Sequence, residues 1–557
     1  MAIRGLFDLL RRIRPPSQFA AAAAAAARRS GIQDSCPSIA GFASYDRPSF
    51  HFTWRKHHWG LILGVVLSGQ TAFFLGLSGR SVLAQDTPMG ELVTENEQGQ
   101  ASVTGLRRIE DGSVISNEHT SKWRIYTDNG RDLFLKGKVD EAEKYFQLAL
   151  QEAKEGFGLK DPHVASSCNN LAELYRVRKV FEKAEPLYLE AISILEESFG
   201  ADDIRVGAAL HNLGQFYLAQ RKLDQARTCY ERALKVKGRV LGHGHVDYAN
   251  TMYHLGTVLY LEGKEKDSEA LIQESIRILE DAGLGESTTC IRRMRYLSQI
   301  LLNSNRLAEA ESMQRKILHT LELSKGWDSL ETIVTAEALA LTLQSLGSLV
   351  ESQELLERCL AARKKILSED HVQVAGNLLH LARIALLNSK HLQKVKISGA
   401  RAELDKAKLL LDNSIRITKA ILDPSRKDQK SLHSVNVSTE SEKDRHAALT
   451  VLLQTLNVVG LLEVTKCELQ LSREPCEYPL EAELALRDCI SIFKEPHTRS
   501  ILLNAPDAKV EYVACLKRLS SLVRDSIVES QRPKEVQDLI DAVQNVEAEL
   551  LPRRQRK

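Results

Sequence analysis

A period of 42 residues constrains this chain more than any other feature. The stretch NNLAELYRVRKVFEKAEPLY at Asn169 returns as HNLGQFYLAQRKLDQARTCY at His211 and as YHLGTVLYLEGKEKDSEALI at Tyr253. The leucine of the first copy recurs in phase as Leu171, Leu213, Leu255, Leu297, Leu339 and Leu381, each followed by a small residue (Ala172, Gly214, Gly256, Ser298, Ala340, Ala382). A second small phase runs Ala142, Ala184, Ala226, Ser268, Ala310 and Ser352, and a third runs Ala149, Ala191, Ala233, Ser275, Ile317 and Cys359. Such a period belongs to an array in which each unit buries its apolar face against its neighbours.

Inside a unit the apolar spacing is helical. Leu187, Tyr188, Ala191, Ile192 and Leu195 fall at steps of three and four, which places them on one stripe. Gly158, Gly200 and Gly242 sit where the second helix should close in a left-handed residue, with Pro162 in the linker beyond. Each unit therefore reads as helix A, short turn, helix B. The small residues lie where the two axes cross, because anything larger would push them apart. The pattern NLAELY…FEKAEPLYLEAISI resembles the tetratricopeptide repeat (TPR), and the long helix B is similar to the kinesin-light-chain subtype. That resemblance implies an all-α fold: a right-handed superhelical solenoid of A/B hairpins, with a concave groove lined by the A helices.

The solenoid is expected over 123–423, as about seven repeats. In the seventh the small phases become Ala407 and Ser414, so about 13 residues are inserted, around NSKHLQKVKISGA. A polar, disordered loop is expected at 424–444. Degenerate TPR-like and capping helices follow at 445–551, with Gly460, Ala482 and Cys489 in the repeat-like positions and amphipathic stretches near 507–529 and 533–550. A basic tail closes the chain at 552–557. A solenoid also accommodates 557 residues, long for one globular domain. The nine cysteines form no CxxC pair, and Cys359 and Cys489 replace small helix-B residues, so both are expected to be buried and reduced.

The net charge is +2, but residues 1–58 alone carry +6, leaving the rest at −4. The basic excess therefore argues for an address at the N-terminus, not for a nucleic-acid-binding face. MAIRGLFDLLRRIR alternates apolar residues with arginines and holds one acid, Asp8, as a basic amphipathic targeting presequence (1–58) does. Residues 59–79 run without a charge for 21 residues, enough for one membrane helix within an otherwise disordered N-terminal region. Arg55 and Lys56 precede this span and acids follow it, which orients the repeats away from a mitochondrial matrix. A polar linker, 80–122, would tether the solenoid. The expected location is the mitochondrial inner membrane, with the chloroplast as the alternative.

No phosphate loop, HExxH or GxSxG pattern occurs, and no metal, cofactor or catalytic residue is expected. His243 and His245 beside Asp247 read as linker residues. The resemblance implies instead a groove for a protein segment. Counting each small helix-A residue as position eight, positions two, five, six, nine and twelve face that groove. They carry Ser166, Asn169, Asn170, Glu173 and Arg176, then His211, Asn212 and Gln215. Asn250, Tyr253, His254 and Tyr260 follow, then Arg292, Arg295 and Gln299, and finally His380 and Arg383. Asparagine can hydrogen-bond a peptide backbone both ways and arginine grips carboxylates, so an acidic segment is the expected guest. Asn170 and Asn212 match the TPR clamp for chaperone C-termini, but its lysines have no counterpart here. The functional expectation is a non-enzymatic adaptor in an organelle membrane that assists a membrane complex. The alternative, a kinesin-light-chain-like cargo adaptor, needs a heptad coiled coil that residues 1–122 lack.

Overall fold

The computed structural model describes residues 118–423 apart from Lys394, then 437–470, 480–495, 498, 506–525 and 533–550. The expected presequence, membrane span and most of the tether lie outside the described residues. Among the described residues there are eighteen helices and no strand. Seven hairpins come first. They are α1 (Glu118–Leu135) with α2 (Val139–Phe157), α3 (Pro162–Val177) with α4 (Phe181–Phe199), and α5 (Ile204–Ala219) with α6 (Leu223–Val240). Next are α7 (Val246–Leu261) with α8 (Glu265–Asp281), and α9 (Thr288–Asn303) with α10 (Leu307–Lys325). Then come α11 (Leu330–Leu346) with α12 (Leu349–Ile366), and α13 (Val372–Leu392) with α14 (Ile397–Leu422). Two more follow: α15 (Val437–Gln470) with α16 (Leu480–Lys494), and α17 (Pro506–Asp525) with α18 (Pro533–Leu550). Each helix packs on the next in the chain.

The three sequence phases are where the hairpins close. Ala142, Ala184, Ala226, Ser268, Ala310 and Ser352 are all 0% exposed, and the phase from Ala149 to Cys359 is equally buried. Opposite them stand the small helix-A residues. A Cβ added to Gly214 would come within 2.7 Å of the Tyr230 ring, and one at Gly130 would meet Phe146 at the same distance. Gly130 thus carries the phase back into α1, one unit earlier than the leucine series.

Two further phases hold the ends of the helices. The residue before each A helix from α3 to α13 is Asp161, Asp203, His245, Ser287, Ser329 or His371, every 42 residues. In all six the side chain accepts a hydrogen bond from a first-turn backbone N–H. The left-handed residue in each A–B turn repeats likewise: Gly137, Lys179, Arg221, Gly263, Asn305 and Gly347. Pro162, expected in a linker, is the first residue of α3, where its missing N–H is no loss.

Several boundaries differ from the sequence reading. α1 begins at Glu118, inside the expected tether, and Trp123 Nε1 donates to Ser167 Oγ of α3 at 2.8 Å. The inserted residues of the seventh unit lengthen both of its helices, α13 to 21 residues and α14 to 26. The loop expected at 424–444 is helical from Val437. Within α15, Asp444–Leu469 is long and apolar enough to cross a bilayer, but 78% of its most apolar window is buried inside the fold. Its Leu449, Leu452, Leu453 and Leu456 make one core with Leu486, Tyr512, Leu516 and Leu519 of the last hairpins. Cys489 corrects the expectation of a reduced thiol: it is buried, but bonded to Cys515 of α17. Cys359 is free and buried as expected.

Gly214→Ala tests the crossing. Alanine is the better helix former by about 1 kcal/mol, yet its methyl would strike the buried Tyr230 ring. The overpacking term wins, and urea denaturation should show a net loss of about 1–2 kcal/mol.

Candidate functional site

The face shared by the A helices begins with polar side chains that bond from one unit to the next. Asn212 Nδ2 on α5 donates to Asn169 Oδ1 on α3 at 2.9 Å. His211 Nδ1 lies 3.1 Å from Thr251 Oγ1 on α7. Gln215 Nε2 approaches His211 Nε2 at 3.1 Å and His254 Nε2 at 3.4 Å. Since an amide N–H₂ only donates, both Nε2 atoms accept, and His211 carries its proton on Nδ1 toward Thr251. The His254 ring stacks on Tyr230 and meets His211 edge-on. Burial first, and then Arg293 and Lys237, push its pKa down to about 3, so it stays the neutral acceptor that Gln215 requires.

Between α7 and α9 the face turns aromatic and cationic. Tyr296 contacts both Tyr253 and Tyr260 edge-on, with ring centroids 5.8 and 6.0 Å apart. Asn303 Nδ2 holds the Tyr260 hydroxyl at 2.7 Å. Arg293 lies over the Tyr253 ring, donates to Asn250 Oδ1 and reaches the Ser275 carbonyl at 3.1 Å. Burial lowers its pKa to about 10. Arg295 pairs with Glu331 at 2.9 Å and donates to Thr335 Oγ1 at 3.1 Å. Arg292 is exposed and forms no ion pair among the described residues.

The predicted residues therefore divide. Asn169, His211, Gln215, Asn250, Tyr253, His254, Arg292 and Arg295 remain at least partly accessible on this face, while Asn170 and Asn212 are buried within it. Arg176 and Arg383 depart from expectation because both are sealed. Arg176 Nε binds Glu173 at 3.0 Å, Glu173 accepts from the Tyr188 hydroxyl, and Glu173 is 0% exposed. Arg383 is buried, with the Glu511 carboxylate of α17 supplying a favourable charge, and His380 is fully buried one turn away. Position rules gave the direction of these side chains but not what lies opposite. Arg293, Thr251 and Tyr296 sit outside the position list, although the aromatic–arginine cluster in YHLGTVLY and RRMRY was there to be read.

His245 is the helix cap described above, its Nδ1 accepting from Asp247 N–H at 3.0 Å. The metal-type grouping found among the described residues, His119 with Glu152 and Glu155, holds a His119 Nδ1–Glu152 hydrogen bond of 2.9 Å beside Lys122. The strongest buried interaction serves architecture: Arg363 on α12 grips Glu337 on α11 through two 2.6 Å bonds, both side chains excluded from solvent.

Stacked hairpins with a polar and aromatic inner face make this chain a helical-repeat scaffold for protein–protein interaction. Part of it matches tetratricopeptide-repeat models: one matches 124–197, 166–238 and 205–281, and a second matches 332–373. No curated protein matches the chain. Among solved structures, TPR-like repeats of kinesin light chain type from Podosopora anserina share 18% identity over 37% of this chain and 99% of that one, with a TM-score of 0.34. The quorum sensor NprR from B. thuringiensis shares 10% over 77% of this chain and 98% of its own, at 0.42. YrrB, a TPR protein with an unusual peptide-binding site, shares 18% over 39% and 93%, at 0.28.

Acidification should loosen the stack. His254 and His380 are held neutral by burial, so their folded-state pKa values lie below the unfolded one. Their contribution is complete above pH ~6.5 and is lost as pH falls below it, at up to ~1.4 kcal/mol per pH unit for each ring. Urea midpoints at pH 7.5 and 5.0 should show this drop, and His254→Gln, which keeps an acceptor for Gln215, should reduce it.

Proposed function

We propose that this chain is a non-enzymatic adaptor that holds a polypeptide segment bearing acidic side chains along α5, α7 and α9. The observation that carries the reading is Arg292. It is an exposed guanidinium without an ion pair among the described residues, set beside the Tyr253, Tyr260 and Tyr296 cluster, while its neighbours Arg293 and Arg295 are already engaged. Tyrosine and arginine together are the composition of binding hot spots, and a carboxylate is the complement that Arg292 lacks.

The setting we propose is the mitochondrial inner membrane, where the tethered adaptor assists assembly or maintenance of a membrane protein complex. The basic amphipathic start and the uncharged stretch 59–79 support this reading. Fluorescent fusion of residues 1–100 followed by carbonate extraction tests it. Retention in a mitochondrial pellet is expected, and a soluble cytosolic fusion would remove the membrane part of the proposal.

For the groove, peptide display on the purified full chain should enrich sequences containing Asp or Glu. Arg292→Glu should lower their recovery at least tenfold, the loss of about 1.4 kcal/mol or more expected of a charge-assisted contact. Equal recovery of basic peptides, or no effect of the substitution, contradicts the assignment.

A further inference from the structure

The A helices of the last three hairpins, α13, α15 and α17, pack directly on one another, α13 on α15 and α15 on α17. A polar seam runs between them. Gln454 Nε2 of α15 donates to Glu511 Oε1 of α17 at 3.2 Å, and Arg518 Nε of α17 donates to Asn457 Oδ1 of α15 at 2.8 Å. Glu511 also attracts Arg383 of α13, whose register places it on the ligand-facing side of an A helix. The seam is incompletely bonded. Arg383 Nε and Nη1, Gln454 Oε1 and both polar atoms of the fully buried Asn377 have no hydrogen-bond partner. Buried groups rarely stay unmatched in a surface whose only task is to pack.

A second observation lies on the same helix. Cys515, one turn beyond Glu511 on α17, is bonded to Cys489 of α16, 26 residues earlier. The bond ties a helix of the last described hairpin to the hairpin before it. Cys168, Cys229, Cys290 and Cys359 are free thiols.

We propose that α13 and α15 form a second binding surface, for a polypeptide segment that presents a carboxylate. In the oxidised chain α17 is its built-in occupant: Glu511 supplies the carboxylate, and the Cys489–Cys515 bond is the latch. When the terminal hairpin opens locally, a small dithiol attacks one sulfur of the bond and its second thiol closes on the first. Cys489 and Cys515 leave as thiols and the reductant as a cyclic disulfide, two electrons and two protons having passed to the protein. α17 then moves off, and Arg383, Asn377 and Gln454 meet the incoming segment. This surface uses none of the residues assigned to the α5–α9 groove, so either assignment can fail alone.

The test uses the full chain, oxidised or treated with dithiothreitol, and Cys489→Ala/Cys515→Ala, alanine being the residue that Ala149, Ala191 and Ala233 place in this helix-B phase. Hydrogen exchange followed by mass spectrometry should show amides of α17 and α18 exchanging at least tenfold faster in the reduced chain and in the variant, with α3–α12 unchanged. A deca-glutamate probe should bind the reduced chain at least tenfold more tightly than the oxidised one, and Arg383→Gln should abolish that difference. Non-reducing peptide mapping that finds both thiols free in the oxidised chain overturns the latch. So does exchange in α17 that ignores the reductant. Equal probe binding in the two redox states overturns the second surface, and the wild-type comparison decides this even if the double variant does not fold.

Discussion

Everything in this molecule depends on how closely two helix backbones approach at each hairpin crossing. A glycine, alanine or serine on helix A must face a small residue or a ring edge on helix B, as Gly214 faces Tyr230. Once that distance is fixed, the same apolar stripe can bury itself in every unit, and the spacing between crossings becomes the period of the sequence. The letters elsewhere are then free to vary, which is why copies so loosely alike share one geometry.

The chain supplements this contact at the ends of its helices. Six caps in register satisfy first-turn amides of the A helices from α3 to α13, and six left-handed residues turn the A helices from α1 to α11 into their B helices. Surface ion pairs between successive units, such as Lys316–Glu280 and Arg239–Asp202, add little because water screens them. The buried Glu337–Arg363 pair is different. Removing either partner would leave a charge without compensation, so the pair fixes how α11 and α12 meet.

The fold was legible because a period repeats its evidence. Leu171 to Leu381 and the two small phases place twelve helices. The cap phase was equally available, since Asp, Ser and His at 42-residue steps are side chains that can accept from a helix start. The turn phase was not, because Lys179 and Arg221 give no chemical hint of a left-handed backbone. The site was legible only in part. Position rules put Asn169, Asn212, His211, Gln215 and His254 on one face, where they bond to one another from unit to unit. They could not show that Arg176 would pair with Glu173 beneath Tyr188, or that Arg383 would be buried with the charge of Glu511, over a hundred residues downstream, acting on it. The Cys489–Cys515 bond was illegible for the same reason: it depends on where two helices from different hairpins come to rest.

The central claim, that one unit of 42 residues is a self-consistent step in the stack, can be tested by removing one step. Deleting residues 204–245 excises α5, α6 and the following turn and joins Asp203 to Val246, so that Asp203 takes over the cap that His245 provides for α7. Far-UV circular dichroism of the shortened chain should give the mean residue ellipticity of the full one, with a cooperative melt. A loss of helical signal beyond the residues removed would contradict the account.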